Sequence, residues 1–185
     1  RVLAAKQVLG LFDDPFRRID LKREKARTRL PVNIALSREA GQKSIVLLKN
    51  EGNLLPLSTS AKIALIGPFV RDGRDINGPW VVYGDNGQAI DIAQGLKAAG
   101  ASFTMTLGSD VEAPVEGGIE AAVAAAQAAD VVVLAIGESE RMSGEAQSRA
   151  DIVLPAPQQA LAEAVAKTGK PIVVLLRNGR ALALH

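Results

Sequence analysis

Val131-Val-Val-Leu-Ala-Ile136 is a run of six apolar residues with no polar alternation. A strand with one wet face alternates. One that does not is buried on both faces, as in a parallel sheet covered by helices. Lys62-Ile-Ala-Leu-Ile-Gly67 and Lys170-Pro-Ile-Val-Val-Leu-Leu176 have the same character, while Ser102 to Leu107 alternates as a strand near an edge does. Helical segments separate them: Ile90 to Ala99, closed by Gly100; the Ala-rich Glu116 to Ala129, acidic at its start to complement the dipole; and Pro157 to Thr168, with Pro in the first turn. A further helix is expected over Ser37 to Lys49, with Leu36, Ala40, Leu47 and Leu48 on one side and Glu51-Gly-Asn53 ending it. Strands alternating with helices imply right-handed βαβ crossovers. The expected class is α/β, a mainly parallel sheet with helices on both faces.

Composition fits that class. Hydrophobic residues make up 48% of the 185 but aromatics only 3%, so Ala, Val, Leu and Ile must build the core. A net charge of +2 is too mild to argue for nucleic acid. With no cysteine, a thiol nucleophile, a disulfide framework and a zinc–thiolate site are excluded, while cytoplasm and periplasm stay equally open. No apolar run approaches the roughly 20 residues of a membrane span, and no signal peptide is visible.

Both ends look abrupt. Val2 to Leu9, closed by Gly10, has helical spacing and reads as the last helix of something that began earlier; nine residues follow the strand that ends at Leu176. The chain is therefore expected to be a piece of a larger protein, truncated at its C-terminal end. Residues 12 to 33 form an arm. Phe12-Asp-Asp-Pro-Phe16 is turn chemistry, and seven basic side chains (Arg17, Arg18, Lys22, Arg23, Lys25, Arg27, Arg29) then face Asp20 and Glu24. With no aromatic and no Gly-rich loop among them, they suit a solvated linker better than a phosphate-binding surface.

Cofactor signatures are lacking. Gly84-Asp-Asn-Gly87 has neither the third glycine nor the strand-to-helix context of a dinucleotide loop. His185 is the sole histidine, so neither a Ser–His–Asp triad nor a histidine metal site is expected. No cofactor and no metal are called for.

Two loops behind strands carry the candidate chemistry, at the ends where open α/β sheets place ligands. The first, Gly67 to Asp85, is long and holds the chain's only Trp and only Tyr, Trp80 and Tyr83, among Asp and Arg residues. Rings beside charged groups suit a sugar, whose C–H faces lie on the ring while its hydroxyls bond to the charges; equally, such a loop packs its own rings for stability. The second, Gly137-Glu-Ser-Glu-Arg-Met-Ser-Gly-Glu-Ala-Gln-Ser-Arg-Ala-Asp151, follows the most buried strand and carries Glu138, Glu140, Glu145, Arg141 and Arg149. It is either a solvated loop or the seat of a general acid. Partial desolvation and Glu138 or Glu140 would raise the Glu145 pKa, whereas Arg141 or Arg149 would lower it. The sequence leaves that balance open.

Several blocks resemble glycoside hydrolase family 3. They are Leu9-Gly-Leu-Phe-Asp-Asp-Pro-Phe16, Ser37-Arg-Glu-Ala, Ser44-Ile-Val-Leu-Leu-Lys-Asn-Glu-Gly-Asn-Leu-Leu-Pro-Leu57, Ile66-Gly-Pro with Trp80, Ser143-Gly-Glu-Ala-Gln-Ser-Arg149, and Lys167-Thr-Gly-Lys-Pro-Ile-Val-Val-Leu175 with Asn178-Gly-Arg180. They run through nearly the whole chain in order, and the look is that of bacterial periplasmic β-glucosidases. The resemblance implies a (β/α)8 barrel bearing an aspartate nucleophile, then a linker, then a Rossmann-like (α/β)6 sandwich lending the acid/base glutamate to a site at the domain interface. Residues 1–35 would be the end of the barrel and the linker, and 36–185 the incomplete sandwich. It further implies that Glu145 is the acid/base with Glu138 in reserve, that Trp80 and Tyr83 wall the aglycone side, and that Arg149 orients the loop or lies near substrate. The activity implied is retaining hydrolysis of terminal β-D-glucosyl residues in the periplasm. The fragment would be inactive without its barrel, and a non-catalytic carbohydrate-binding or scaffolding module is the alternative.

Overall fold

A computed structural model describes residues 1–81 and 83–184; Val82 and His185, including the expectation attached to the latter, lie outside the described residues. The chain divides into two compact units, Arg1–Glu51 and Gly52–His185.

The first unit holds three helices, α1 (Val2–Val8), α2 (Leu21–Arg27) and α3 (Pro31–Ser44). Asp20 caps α2 by accepting from the backbone N–H groups of Lys22 and Arg23 at 3.0 Å each, which offsets two donors that the first turn leaves unpaired. The middle of the basic run thus lies on a short, capped and exposed helix. The helix expected over 37–49 is displaced: α3 starts at Pro31 and ends at Ser44, and Ile45 turns to extended backbone (φ −72°, ψ 128°). Pro31 fixes the start, because its ring pre-sets helical φ where no N–H is needed. Leu47 and Leu48 are exposed beyond the helix instead of lining it.

The second unit is a four-stranded, wholly parallel sheet of β1 (Lys62–Ile66), β2 (Ser102–Thr106), β3 (Val131–Gly137) and β4 (Ile172–Arg177), in the order β2-β1-β3-β4. Its helices are α4 (Ile92–Ala98), α5 (Gly118–Ala128) and α6 (Ala156–Ala166). Side chains alternate across the sheet. Ala64, Ile66, Val132, Leu134 and Ile136 pack with Ala122 and Ala126 of α5 and Leu161 and Val165 of α6. Ile63, Leu65, Val131, Val133 and Ala135 pack on the other face with Ala93 of α4 and with Phe69 and Val70. Every residue of β3 is buried. This is the α/β arrangement with helices on both faces that unalternated apolar strands require. β2 is an edge strand, as its alternation implies. Within this chain β4 pairs with β3 alone, and Val174 and Leu175 in its middle are exposed.

Candidate active site

β1 and β3 are neighbours whose onward connections part: β1 leads to β2 on one side, β3 to β4 on the other. Loops that diverge this way leave a crevice beyond the carboxyl ends of the two strands, the usual ligand position in open α/β sheets. The loops in question are the two that the sequence singles out. Between them lies an open cleft of ≈ 700 Å³, with Arg74, Pro79 and Trp80 on the β1 side and Glu140, Arg141 and Glu145 on the β3 side.

The cleft's two walls touch. Gly144 has φ +103°, and a Cβ there would come within 2.8 Å of Pro79 and 3.8 Å of the Trp80 indole nitrogen. Only glycine fits so close an approach in that backbone conformation. Glu145 follows, exposed and without a hydrogen-bond or ion-pair partner among the described residues. Ala146 comes next with φ +60°, a left-handed geometry that costs an L-residue about 1 kcal/mol and sharply turns the chain behind Glu145.

Below the tip the loops are fastened by charge. The Glu140 N–H donates to Asp75 Oδ1 at 2.7 Å, and Arg74 Nε donates to Glu140 Oε1 at 2.5 Å, tying the β3 loop to the β1 loop. Arg177, at the end of β4, donates to Asp72, lies 3.7 Å from Asp75 and stacks over the Phe69 ring at 3.9 Å. Burial pushes the Asp72 carboxyl up, but the Arg177 hydrogen bond, the Asp75 N–H and the guanidinium charge together leave it below its ordinary value. Burial also raises Asp75, and the charge of Asp72 adds to this; the Glu140 N–H and Arg177 do not reverse it. One member of the pair is thus held charged while the other resists charging.

A second node sits where β3 ends. A side chain at Gly137 (φ +139°) would strike the Arg177 carbonyl, so glycine is needed where the loop leaves the sheet. The fully buried Gln158 of α6 accepts from the Gly137 N–H at 2.8 Å and donates to the Gly137 carbonyl at 2.9 Å and the Val111 carbonyl at 2.8 Å. Glu138 is only 3% exposed. Its Oε1 accepts from Arg149 Nη1 at 2.7 Å and lies 3.4 Å from Arg180 Nε, and its Oε2 accepts from the Gly179 N–H at 3.3 Å.

The sequence-selected residues therefore separate. Glu145 and Trp80 line the same cleft from opposite sides. Glu138 and Arg149 bind each other beneath it, outside its lining, and Tyr83 is 100% exposed and also outside the lining. Sequence reasoning passed over Asp72, Asp75, Arg177 and Gln158. Arg177 offered a signal, as a charged residue directly after an apolar strand, but its partners lie 105 and 102 positions away. Among the described residues no group of three or more His, Cys, Asp or Glu side chains is placed to hold a metal ion, and no helix is long and apolar enough to cross a membrane.

Known proteins share this architecture. The chain is 37% identical to a periplasmic β-glucosidase of Salmonella typhimurium over 99% of its own length and 27% of that protein's. It is 36% identical to a β-xylosidase of Formosa agariphila, over 100% of this chain and 27% of the other. The solved β-glucosidase of Listeria innocua superposes with a TM-score of 0.89 at 40% identity, covering 98% of this chain and 25% of that one. This chain thus spans about a quarter of the length of these relatives. Residues 45–185 match the family described as the glycosyl hydrolase family 3 C-terminal domain, and the chain belongs to that family.

Proposed function

We propose that this chain is the acid/base-bearing portion of a retaining β-D-glucosidase that hydrolyses terminal, non-reducing β-D-glucosyl residues, with Glu145 as the acid/base. The observation that carries the reading is the position of Glu145: an exposed carboxylate with no partner among the described residues, opposite Trp80 in the cleft at the sheet's switch point. Glu138 has the opposite character, since both its oxygens are occupied by donors below the cleft. The relatives' additional length leaves room for a barrel domain carrying an aspartate nucleophile. That aspartate attacks the anomeric carbon as the glycosidic C–O bond breaks, and Glu145 gives its proton to the departing oxygen. Glu145 then takes a proton from water, whose oxygen displaces the aspartate and frees glucose. Retention calls for carboxyl groups about 5 to 5.5 Å apart, so the barrel must present its aspartate within that reach of the Glu145 tip. Trp80 supplies an apolar ring to the aglycone side. The name of the Salmonella relative supports a periplasmic location.

Glu145→Ala in the full-length protein should lower kcat on an aryl β-glucoside by about two to four orders of magnitude, with azide restoring turnover on a good leaving group. Full activity in that variant would sink the assignment. Because named relatives include β-xylosidases, the matched aryl xyloside belongs in the same assay, and a preference for it would move the substrate while keeping the mechanism. Calorimetry of this chain alone with glucose or cellobiose should show no binding; tight binding would instead support a self-sufficient carbohydrate-binding module.

A further inference from the structure

Resting on the assignment of Glu145 as acid/base, we infer that Glu138 is a positioning residue: its buried carboxylate closes the base of the loop and so holds Glu145 in place against Trp80. Glu138 is the first residue beyond β3, and its own N–H donates to the Arg177 carbonyl at 2.7 Å. Arg149 holds Glu138 through Nη1 and, through Nη2 at 3.0 Å, the Val153 carbonyl near the start of α6. One guanidinium thus joins the loop's two ends. Arg180, also beside Glu138, donates to the Met142 carbonyl and secures the one-turn helix Glu140–Met142 on the near side of the tip. Among the described residues, the short stretch from Ser143 to Gln147, with Glu145 at its centre, makes no hydrogen bond or ion pair to the rest of the protein.

An isolated buried ion pair can often be replaced by apolar residues at little cost. This one differs, because each arginine also donates to a backbone carbonyl at one end of the loop, Arg149 to Val153 and Arg180 to Met142. Without the Glu138 carboxylate, both guanidinium groups lose the anchor that fixes those bonds, and the tip is free to shift. Displacement of a reacting group by about 1 Å can cost about a hundredfold in rate.

General-acid assistance matters in proportion to the basicity of the departing oxygen, which provides the test. In the full-length enzyme, Glu138→Gln should lower kcat/KM about a hundredfold for phenyl β-glucoside but less than about threefold for dinitrophenyl β-glucoside. Arg149→Lys keeps the charge yet cannot reach both Glu138 and Val153, and should show the same asymmetry at smaller size; it also serves if Glu138→Gln folds poorly. Azide should accelerate Glu145→Ala on the dinitrophenyl substrate but not Glu138→Ala, where the Glu145 carboxylate still excludes the anion. Equal losses on both substrates in Glu138→Gln and Arg149→Lys, with Glu145→Ala still rescued, would overturn the positioning role alone. Azide acceleration of Glu138→Ala in place of Glu145→Ala would make Glu138 the acid/base and overturn both assignments.

Discussion

At Gly144 a methyl group would meet Pro79 while the backbone holds φ +103°. Gly144→Ala therefore pushes the Glu145 tip off the Trp80 wall and strains its own peptide. Under the proposed function, its expected effect in the full-length protein is on turnover more than on folding: kcat falls by about tenfold or more, while the melting temperature moves by only a few degrees, because the tip lies outside the core. A large loss of stability at unchanged kcat would show that the contact is structural.

Asp72 and Asp75 share Arg177 yet are displaced in opposite directions. The contribution of Asp72 is present above its unfolded value of about 4 and is lost as pH falls through its lower folded value. For Asp75 the sign reverses: its contribution is present below about 4 and is lost as pH rises through its raised folded value. Asp75→Asn mimics the protonated side chain and can still accept from the Glu140 N–H. Its melting temperature relative to wild type should therefore be higher near pH 7 than near pH 3. Measured across that range, the opposite trend would contradict the assigned shift.

Among the elements, α6 is tied to β3 both by apolar packing and by the hydrogen bonds of Gln158 to Gly137. Leu161 of α6 is fully buried against the sheet face built from Ala64, Ile66, Val132 and Leu134, and its methyl groups fill the space a Cβ at Gly108 would need. Leu161→Ala should cost about 2 to 5 kcal/mol in denaturant unfolding, since a close-packed site relaxes only partly around the missing atoms. A loss under about 1 kcal/mol would mean that α6 is held chiefly by Gln158. The strands were legible in the chain because apolar runs without alternation have few other uses. Helix ends were less so. Leu47 and Leu48 continue the side that carries Leu36 and Ala40, but the backbone is already extended at Ile45, and the start was written in Pro31 rather than in any apolar stripe.

For the molecule as a whole, both apolar clusters draw only on residues from Leu54 onward, whereas none of the three helices of the first unit contains a buried residue. A protein beginning at Gly52 should therefore unfold cooperatively, within a few degrees of the whole chain; loss of the transition would show that residues 1–51 belong to the folding unit. The candidate site was legible only in part. Its exposed tip stands out as a cluster of charge behind an apolar strand. The supports under it do not, because Asp72 finds Arg177, and Glu138 finds Arg180, only after four strands have come into register. Sequence proximity likewise grouped Glu138 with Glu145, seven positions apart, although one lies beneath the cleft and the other on its rim.

Trp80 is the chain's single tryptophan, and it stands in the cleft wall beside Gly144. This chain consequently carries its own optical reporter in the cleft wall, where a displaced loop tip would register. Its emission, free of any second indole, can be followed by wavelength, by quenching with iodide or by stopped-flow mixing without adding a label.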